Sequence, residues 1–85
     1  MNADQARAAV LNALSRIAPE VDVSGLDPEV DLREQADLDS MDVLSLVAQV
    51  SDATGVPVDE DDYDQFDTLA RAVGFLVRRG GAVER

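Results

Sequence analysis

The 85-residue chain contains no cysteine, no histidine, no lysine and no tryptophan. Without cysteine it can form neither a disulfide nor a thiolate nucleophile, and without histidine it lacks the commonest general base and metal ligand. With neither histidine nor lysine present, a serine has no neighbouring base to activate it as a nucleophile. We therefore expect that the chain is not an enzyme and that it has no metal site.

Positive charge is also scarce, because 18 acidic residues stand against 7 arginines and give a net charge of -11. Such a surface repels nucleic acid and anionic membranes and favours partners with basic patches. No apolar stretch approaches the roughly 18 residues that span a bilayer, and the first residues lack the basic flank of a secretory leader. We expect a monomeric cytoplasmic protein that binds no nucleic acid and does not insert into membranes.

Aromatic residues are limited to Tyr63, Phe66 and Phe75, so the core has to be aliphatic. A chain of this length buries only about 60–65% of its unfolded surface, which leaves room for one economical core. We predict that the whole chain is one domain. Its core is expected over about residues 4–79, with a flexible tail over 80–85.

No segment alternates apolar and polar residues as a strand would, so we predict an all-α fold: a four-helix bundle of three main helices plus one short helix, with a long first loop. The first helix is expected to start at a capping Asp4 and to stop before Pro19. A connection over about residues 19–39 is long for a compact domain. Its scattered apolar residues, Val30 among them, are expected to pin it across the helices, and Asp31 is expected to cap a short turn.

The second helix is predicted to start at Asp39 or Ser40 and to run to about Ala53, because Gly55 and Pro57 together stop a helix. At about 100° per residue this helix carries two apolar stripes. Val43, Leu46, Val47 and Val50 form one stripe, and Met41, Leu44 and Ala48 form the other. Since a small core can cover only one face well, we expect the second stripe to be partly exposed, although the long loop is an alternative cover.

The remaining elements are a short acidic helix and a final helix. Asp59 is predicted to cap the short helix, with Val58 and Phe66 as its core anchors. The final helix is predicted to begin at Asp67 or Thr68, and Gly80 is predicted to lie just past its end. Its apolar stripe consists of Leu69, Val73, Leu76 and Val77. The acidic stretch does not match a calcium loop, because the residue types at the ligand positions are wrong.

The segment "DLDSMD" allows two interpretations. In the first interpretation the segment is only a helix start: Asp39 caps the helix, and Asp42 lies three residues later at the position that completes a capping pair. Ser40 at the tip of such a helix is also exposed, and a phosphate on its oxygen would lie near free backbone N–H groups. The spare apolar stripe, the long preceding loop and the acidic surface favour the second interpretation.

Around this motif the chain resembles the acyl carrier proteins, which carry 4'-phosphopantetheine on the serine of an Asp-Ser-Leu/Met-Asp/Glu motif. "LDSMD" matches that motif, and the order of helices, the size and the charge match along nearly the whole chain. The resemblance implies covalent 4'-phosphopantetheine, from coenzyme A, on Ser40. It also implies that Asp39 helps to dock the phosphopantetheinyl transferase.

The resemblance further implies roles for the second helix. The partner-binding residues would be Met41, Asp42, Leu44, Ser45, Ala48 and Asp52, which would contact acyl-transferring and acyl-modifying enzymes with basic docking patches. The residues lining an acyl pocket would be Val43, Leu46, Val47 and Leu76. The expected function is to hold acyl intermediates as thioesters and to deliver them to enzymes of fatty acid, polyketide or another specialised acyl pathway.

Three positions depart from the family's pattern. Asp37 stands where the family often has glycine, which puts the turn geometry in question. Ser45 and Ser51 stand where fatty-acid-synthesis carriers often have glutamate, which hints at a specialised pathway. Two other functions stay open: an unmodified carrier-like interaction or regulatory module that binds basic surfaces, and an acidic protein that mimics a polyanion.

Overall fold

The computed structural model describes residues 1–83, and in them three 15-residue α-helices carry the fold. The elements in chain order are α1 (Ala3–Ile17), the 3-10 helix η1 (Val23–Gly25), α2 (Leu32–Gln35), α3 (Ser40–Thr54), the 3-10 helix η2 (Glu60–Phe66) and α4 (Leu69–Val83). Helix α1 packs against both α3 and α4, and η2 packs against α4. The predicted all-α bundle of three main helices and one short helix with a long first connection is confirmed.

Helix α1 is capped by Asn2 rather than by Asp4, so that part of the prediction is wrong. The Asn2 side chain accepts a hydrogen bond from the backbone N–H of Gln5 at 2.8 Å, and the Gln5 side chain accepts one from the N–H of Asn2 at 3.0 Å. This reciprocal pair satisfies donors that the helix itself leaves free. Asp4 instead lies in the first turn, where its charge favours the positive end of the helix dipole.

The long connection is ordered by hydrogen bonds rather than by apolar contacts alone. Asp31 caps α2 as predicted, accepting from the N–H of Arg33 at 2.7 Å. The amide of Gln35 donates to the carbonyls of Asp27 and Val30 at 2.7 and 3.0 Å, and its oxygen accepts from the N–H of Asp27 at 3.0 Å. Of the apolar residues expected to pin the connection, Leu26 and Leu32 are buried in the core and Val30 is exposed.

Two backbone bonds tie this connection to the start of α4. The N–H of Leu32 donates to the carbonyl of Asp67 at 2.7 Å, and the N–H of Ala70 donates to the carbonyl of Pro28 at 3.0 Å. Leu32 is buried beside them. The loop is therefore held across the start of α4 and leaves the second stripe of α3 uncovered.

Helix α4 runs further than predicted. Gly80 was expected just past its end, yet α4 continues to Val83, and Gly80 is buried. A Cβ at Gly80 would lie 3.2 Å from the Cε of Met1, so the lack of a side chain lets the two segments approach closely. Of the predicted tail over 80–85, residues 84–85 lie outside the described residues.

The core is aliphatic with two aromatic rings. The buried hydrophobic residues are Ala6, Val10, Ala13, Leu14, Ala18, Leu26, Leu32, Ala36, Leu38, Leu46, Val47, Val50, Val56, Phe66, Leu69, Ala72, Phe75 and Leu76. Phe66 and Phe75 meet edge to face with ring centroids 5.6 Å apart. Phe75 was missed as a core residue, and Val73 and Val77 are only half-buried, because the buried face of α4 is rotated toward η2.

We predict that truncation of two leucines of α3 has effects of very different size on stability. Leu46 is fully buried, so Leu46→Ala should lower the free energy of unfolding by about 2–5 kcal/mol through lost burial and a cavity. Leu44 is 48% exposed, so Leu44→Ala should change that free energy by no more than about 0.5 kcal/mol. Urea denaturation followed by circular dichroism measures both. Equal losses for the two variants would contradict the orientation of α3.

Candidate functional site

Ser40 is the first residue of α3, and its position is set by a reciprocal cap on either side of it. The Asp39 carboxylate accepts from the backbone N–H of Asp42 at 2.8 Å, and the Asp42 carboxylate accepts from the N–H of Asp39 at 3.2 Å. This capping box confirms the predicted start of the helix. Because the cap uses the residues around Ser40, the serine side chain itself is not needed for it.

The Ser40 hydroxyl is exposed, and within residues 1–83 its Oγ takes part in no hydrogen bond. In the same part of the chain, the backbone N–H groups of Ser40 and Met41 have no acceptor, as expected for the first turn of a helix. These donors and the helix dipole favour an anion at this point. The arrangement can hold a phosphate bound to the serine oxygen.

The segment before α3 turns sharply at Asp37, which has a φ of 54°. This is the left-handed region, where an L-residue other than glycine is strained and where Asp and Asn are among the better tolerated. Ala36 and Leu38 on either side are buried. The Leu38 N–H donates to the Arg33 carbonyl at 3.0 Å, so the turn is anchored and presents the serine rigidly.

The other end of α3 is closed as predicted by Gly55, which has a φ of 74° and whose N–H donates to the Ser51 carbonyl at 2.9 Å. The Ser51 hydroxyl donates to the carbonyl of Val56 at 2.7 Å. Ser51 therefore has a structural role at the end of α3. Sequence reasoning treated this position only as a missing glutamate.

A cavity of about 410 Å³ opens beside Ser40. Its walls come from α2, α3, η2 and the segment leading into α4, so four parts of the chain meet at the serine. The lining residues are Asp31, Arg33, Ser40, Val43, Leu44, Tyr63, Asp64, Phe66 and Asp67. An apolar floor is thus combined with a charged rim directly next to the hydroxyl.

Only one of the residues expected to line an acyl pocket borders this cavity. Val43 does so, whereas Leu46 and Leu76 are fully buried in the bundle and Val47 borders a separate depression near Gly55. Sequence reasoning missed Tyr63, Phe66 and the loop residues, since their approach to Ser40 depends on tertiary packing.

The second apolar stripe of α3 lies on the surface, as predicted. Met41 is 75% exposed and Leu44 is 48% exposed, and Ala48 is exposed as well. Ser45 and Asp52 lie exposed on the same helix, while Asp42 is half-buried by its cap. The stripe begins next to Ser40, so the hydroxyl and the apolar surface can be contacted together.

Two other features of the described residues bear on the class of site. No group of three or more acidic side chains between residues 1 and 83 is arranged to hold a metal ion. Within the same range, no helix has the length and apolar character required to cross a membrane.

Comparison with known proteins gives the same picture as the geometry around Ser40. Residues 8–76 match the family described as "Phosphopantetheine attachment site". The chain belongs to the phosphopantetheine-binding acyl carrier family. Over 57 residues it is 30% identical to a protein from Rubrobacter xylanophilus named "Acyl carrier protein", a match that covers 67% of this chain and 70% of that protein.

Membership of this family means that the protein is a carrier rather than a catalyst, with a covalently attached 4'-phosphopantetheine. It also implies contacts with a phosphopantetheinyl transferase and with acyl-handling enzymes. The residues around Ser40 fit the group, because an unbonded hydroxyl, two free N–H donors and an adjoining cavity are found together.

The left-handed turn before the serine gives a second prediction. Asp37→Val should lower the free energy of unfolding by about 1–2 kcal/mol, because a β-branched residue is poorly tolerated at positive φ. Asp37→Asn is the matched control, since asparagine adopts this conformation readily and removes only the charge, and it should stay within about 0.5 kcal/mol of the wild type. Urea denaturation of both variants decides the matter. A loss for Asp37→Asn equal to that for Asp37→Val would assign the effect to charge instead of conformation.

Proposed function

We propose that Ser40 is the attachment point of the 4'-phosphopantetheine and that the chain carries acyl groups on it between enzymes of a specialised acyl pathway. The observation that carries this proposal is the unbonded, exposed hydroxyl at the capped start of α3, next to the cavity. When bound, the group supplies the thiol on which acyl groups are held as thioesters. This chain, which has no cysteine, contains no thiol of its own.

The capping pair keeps the serine available for modification. Asp39 and Asp42 satisfy each other's backbone donors, so Ser40 is free to react without loss of the helix start. The chain has no histidine or lysine near the hydroxyl, so the base and the magnesium ion have to come from the transferase. Asp39 is proposed to contribute to docking that enzyme as well as to capping.

Partner enzymes are proposed to dock on the second stripe of α3. Met41, Leu44 and Ala48 offer an exposed apolar surface that fixes the register, with Asp42 and Asp52 as charged contacts and Ser45 as an uncharged one. The net charge of -11 attracts basic docking patches over a distance and raises the rate of encounter. Contacts of this kind are brief, which suits a carrier that visits several enzymes.

The cavity beside Ser40 is proposed to shelter part of the arm or its cargo between these visits. Val43 and Phe66 provide apolar surface at its floor. The other residues predicted to line an acyl pocket lie behind this floor or away from it; they are Leu46, Val47 and Leu76. Sheltering that reaches them requires the helices to separate.

Attachment is tested by intact-protein mass spectrometry after incubation with coenzyme A, magnesium and a broad-specificity phosphopantetheinyl transferase. The wild type should gain one phosphopantetheine and Ser40→Ala should gain none. Ser24→Ala is the control, because Ser24 is an exposed serine outside α3 and its docking face, and it should be modified like the wild type.

The stability of Ser40→Ala should hardly change, because Asp39 provides the cap. Absence of any mass gain on a folded wild type, tried with more than one transferase, would leave an unmodified interaction module as the function. Modification of Ser40→Ala would place the attachment elsewhere.

The specialised pathway is proposed because two helix positions that carry glutamate in many fatty-acid-synthesis carriers are serines here. Ser45 is the informative one, since it is exposed, whereas Ser51 is tied to the carbonyl of Val56. Replacing Ser45 adds a charge to the docking face without breaking a hydrogen bond among the described residues.

We expect Ser45→Glu to raise the rate of acyl transfer to and from fatty-acid-synthesis enzymes, because it strengthens attraction to their basic patches. Ala8→Glu, an equal change of charge at an exposed position of α1, should leave that rate unchanged. The rates are measured with the loaded protein at low and high salt. A wild type that already equals a housekeeping carrier in this assay would refute the specialised assignment.

A further inference from the structure

One arginine lies in the wall of the cavity beside Ser40. Arg33 belongs to α2, and its backbone is held on both sides. Its N–H donates to the Asp31 carboxylate at 2.7 Å, and its carbonyl accepts from the N–H of Leu38 at 3.0 Å. The side chain therefore starts from a point that the turn before α3 keeps in a set position relative to the serine.

The Arg33 guanidinium has no acidic partner within residues 1–83. By contrast, Arg71 pairs with Asp67 at 2.8 Å, and Arg79 lies 3.4 Å from Asp62. Arg7, Arg16 and Arg78 share this lack in the described part of the chain, so what sets Arg33 apart is its place in the wall of the cavity. Arg33 is the one cation among the described residues that lines the cavity shared with Ser40.

A phosphate on Ser40 would be repelled by the carboxylates around the serine, and the Arg33 cation can offset that repulsion. A phosphodiester on Ser40 adds a negative charge next to Asp39 and Asp42, whose carboxylates are fixed there by the capping box. The free N–H groups of Ser40 and Met41 offset part of that repulsion. A guanidinium across the cavity can offset more of it, and its planar donors suit phosphate oxygens.

We propose that Arg33 pairs with the phosphate carried on Ser40 and acts as a positioning residue that holds the arm toward the cavity. This inference rests on the proposed function. The pair draws the first part of the arm toward α2 and η2 and away from Met41 and Ala48. Leu44 borders the cavity as well as the stripe, so the part of the docking face at Met41 and Ala48 stays clear while the cargo waits.

The test uses phosphorus-31 NMR of the loaded protein, whose single phosphodiester reports directly on its surroundings. Raising the salt from about 0.1 to 1 M shortens the screening length from about 10 to about 3 Å, which weakens an exposed ion pair. In the wild type the phosphorus resonance should therefore move with salt. In Arg33→Gln this movement should be clearly smaller, because only the fixed charges and dipole at the start of α3 remain to be screened. In Arg33→Lys it should be partly restored, because the charge returns without the planar donors.

Arg16→Gln is the matched control, because Arg16 is an exposed arginine in the last turn of α1 and its loss changes the net charge equally. It should behave like the wild type. A second readout is the Nε–Hε resonance of Arg33, which should shift when the unmodified protein is converted to the loaded form.

The outcomes distinguish failure of the Arg33 inference from failure of the proposed carrier function. If the wild type gains no phosphopantetheine, both proposals fall. If Arg33→Gln is loaded normally but its phosphorus resonance moves with salt as in the wild type, the carrier function stands and the role of Arg33 is refuted.

Discussion

The reciprocal cap between Asp39 and Asp42 is the interaction on which the site depends. By exchanging hydrogen bonds across the first turn of α3, the two residues start the helix and leave the hydroxyl of Ser40 free. Had the serine been the cap, its oxygen would be engaged with the backbone and modification would cost the helix its start. The cap and the modifiable hydroxyl are thus separated by one position. That separation allows a structural motif and a chemical site to occupy the same four residues.

The small size of the domain imposes the second constraint. One aliphatic core with two aromatic rings can cover only one face of α3, so Leu46, Val47 and Val50 are buried while Met41 and Leu44 remain on the surface. The long connection does not cover them, because its hydrogen bonds hold it across the start of α4. The stripe is exposed because a chain this small has too few residues to cover both faces of α3. The exposed stripe provides the apolar surface on which docking is proposed.

Several parts of this structure could be predicted from the sequence because their causes are local. Asp39 and Asp42 at the start of α3, Gly55 at its end and Asp31 at the start of α2 are each recognisable from residue type and spacing. Some other predictions were wrong. Asn2 rather than Asp4 caps α1: either residue type is a good cap, and the spacing of Asn2 to Gln5 was a local signal of the reciprocal bond that the prediction overlooked.

A glycine often ends a helix, but it can also lie within one where another segment packs closely. Gly80 lies within α4, and the side chain of Met1 packs against it.

The sequence by itself determined the helical class, the acidic surface, the serine motif with its cap and the two faces of α3. The motif, the cap and the faces depend on residues within a few positions of one another. Tertiary structure alone decided what surrounds the serine. Arg33 reaches the cavity from α2 and Tyr63 and Phe66 reach it from η2, and packing in three dimensions brings the two elements together irrespective of their spacing along the chain.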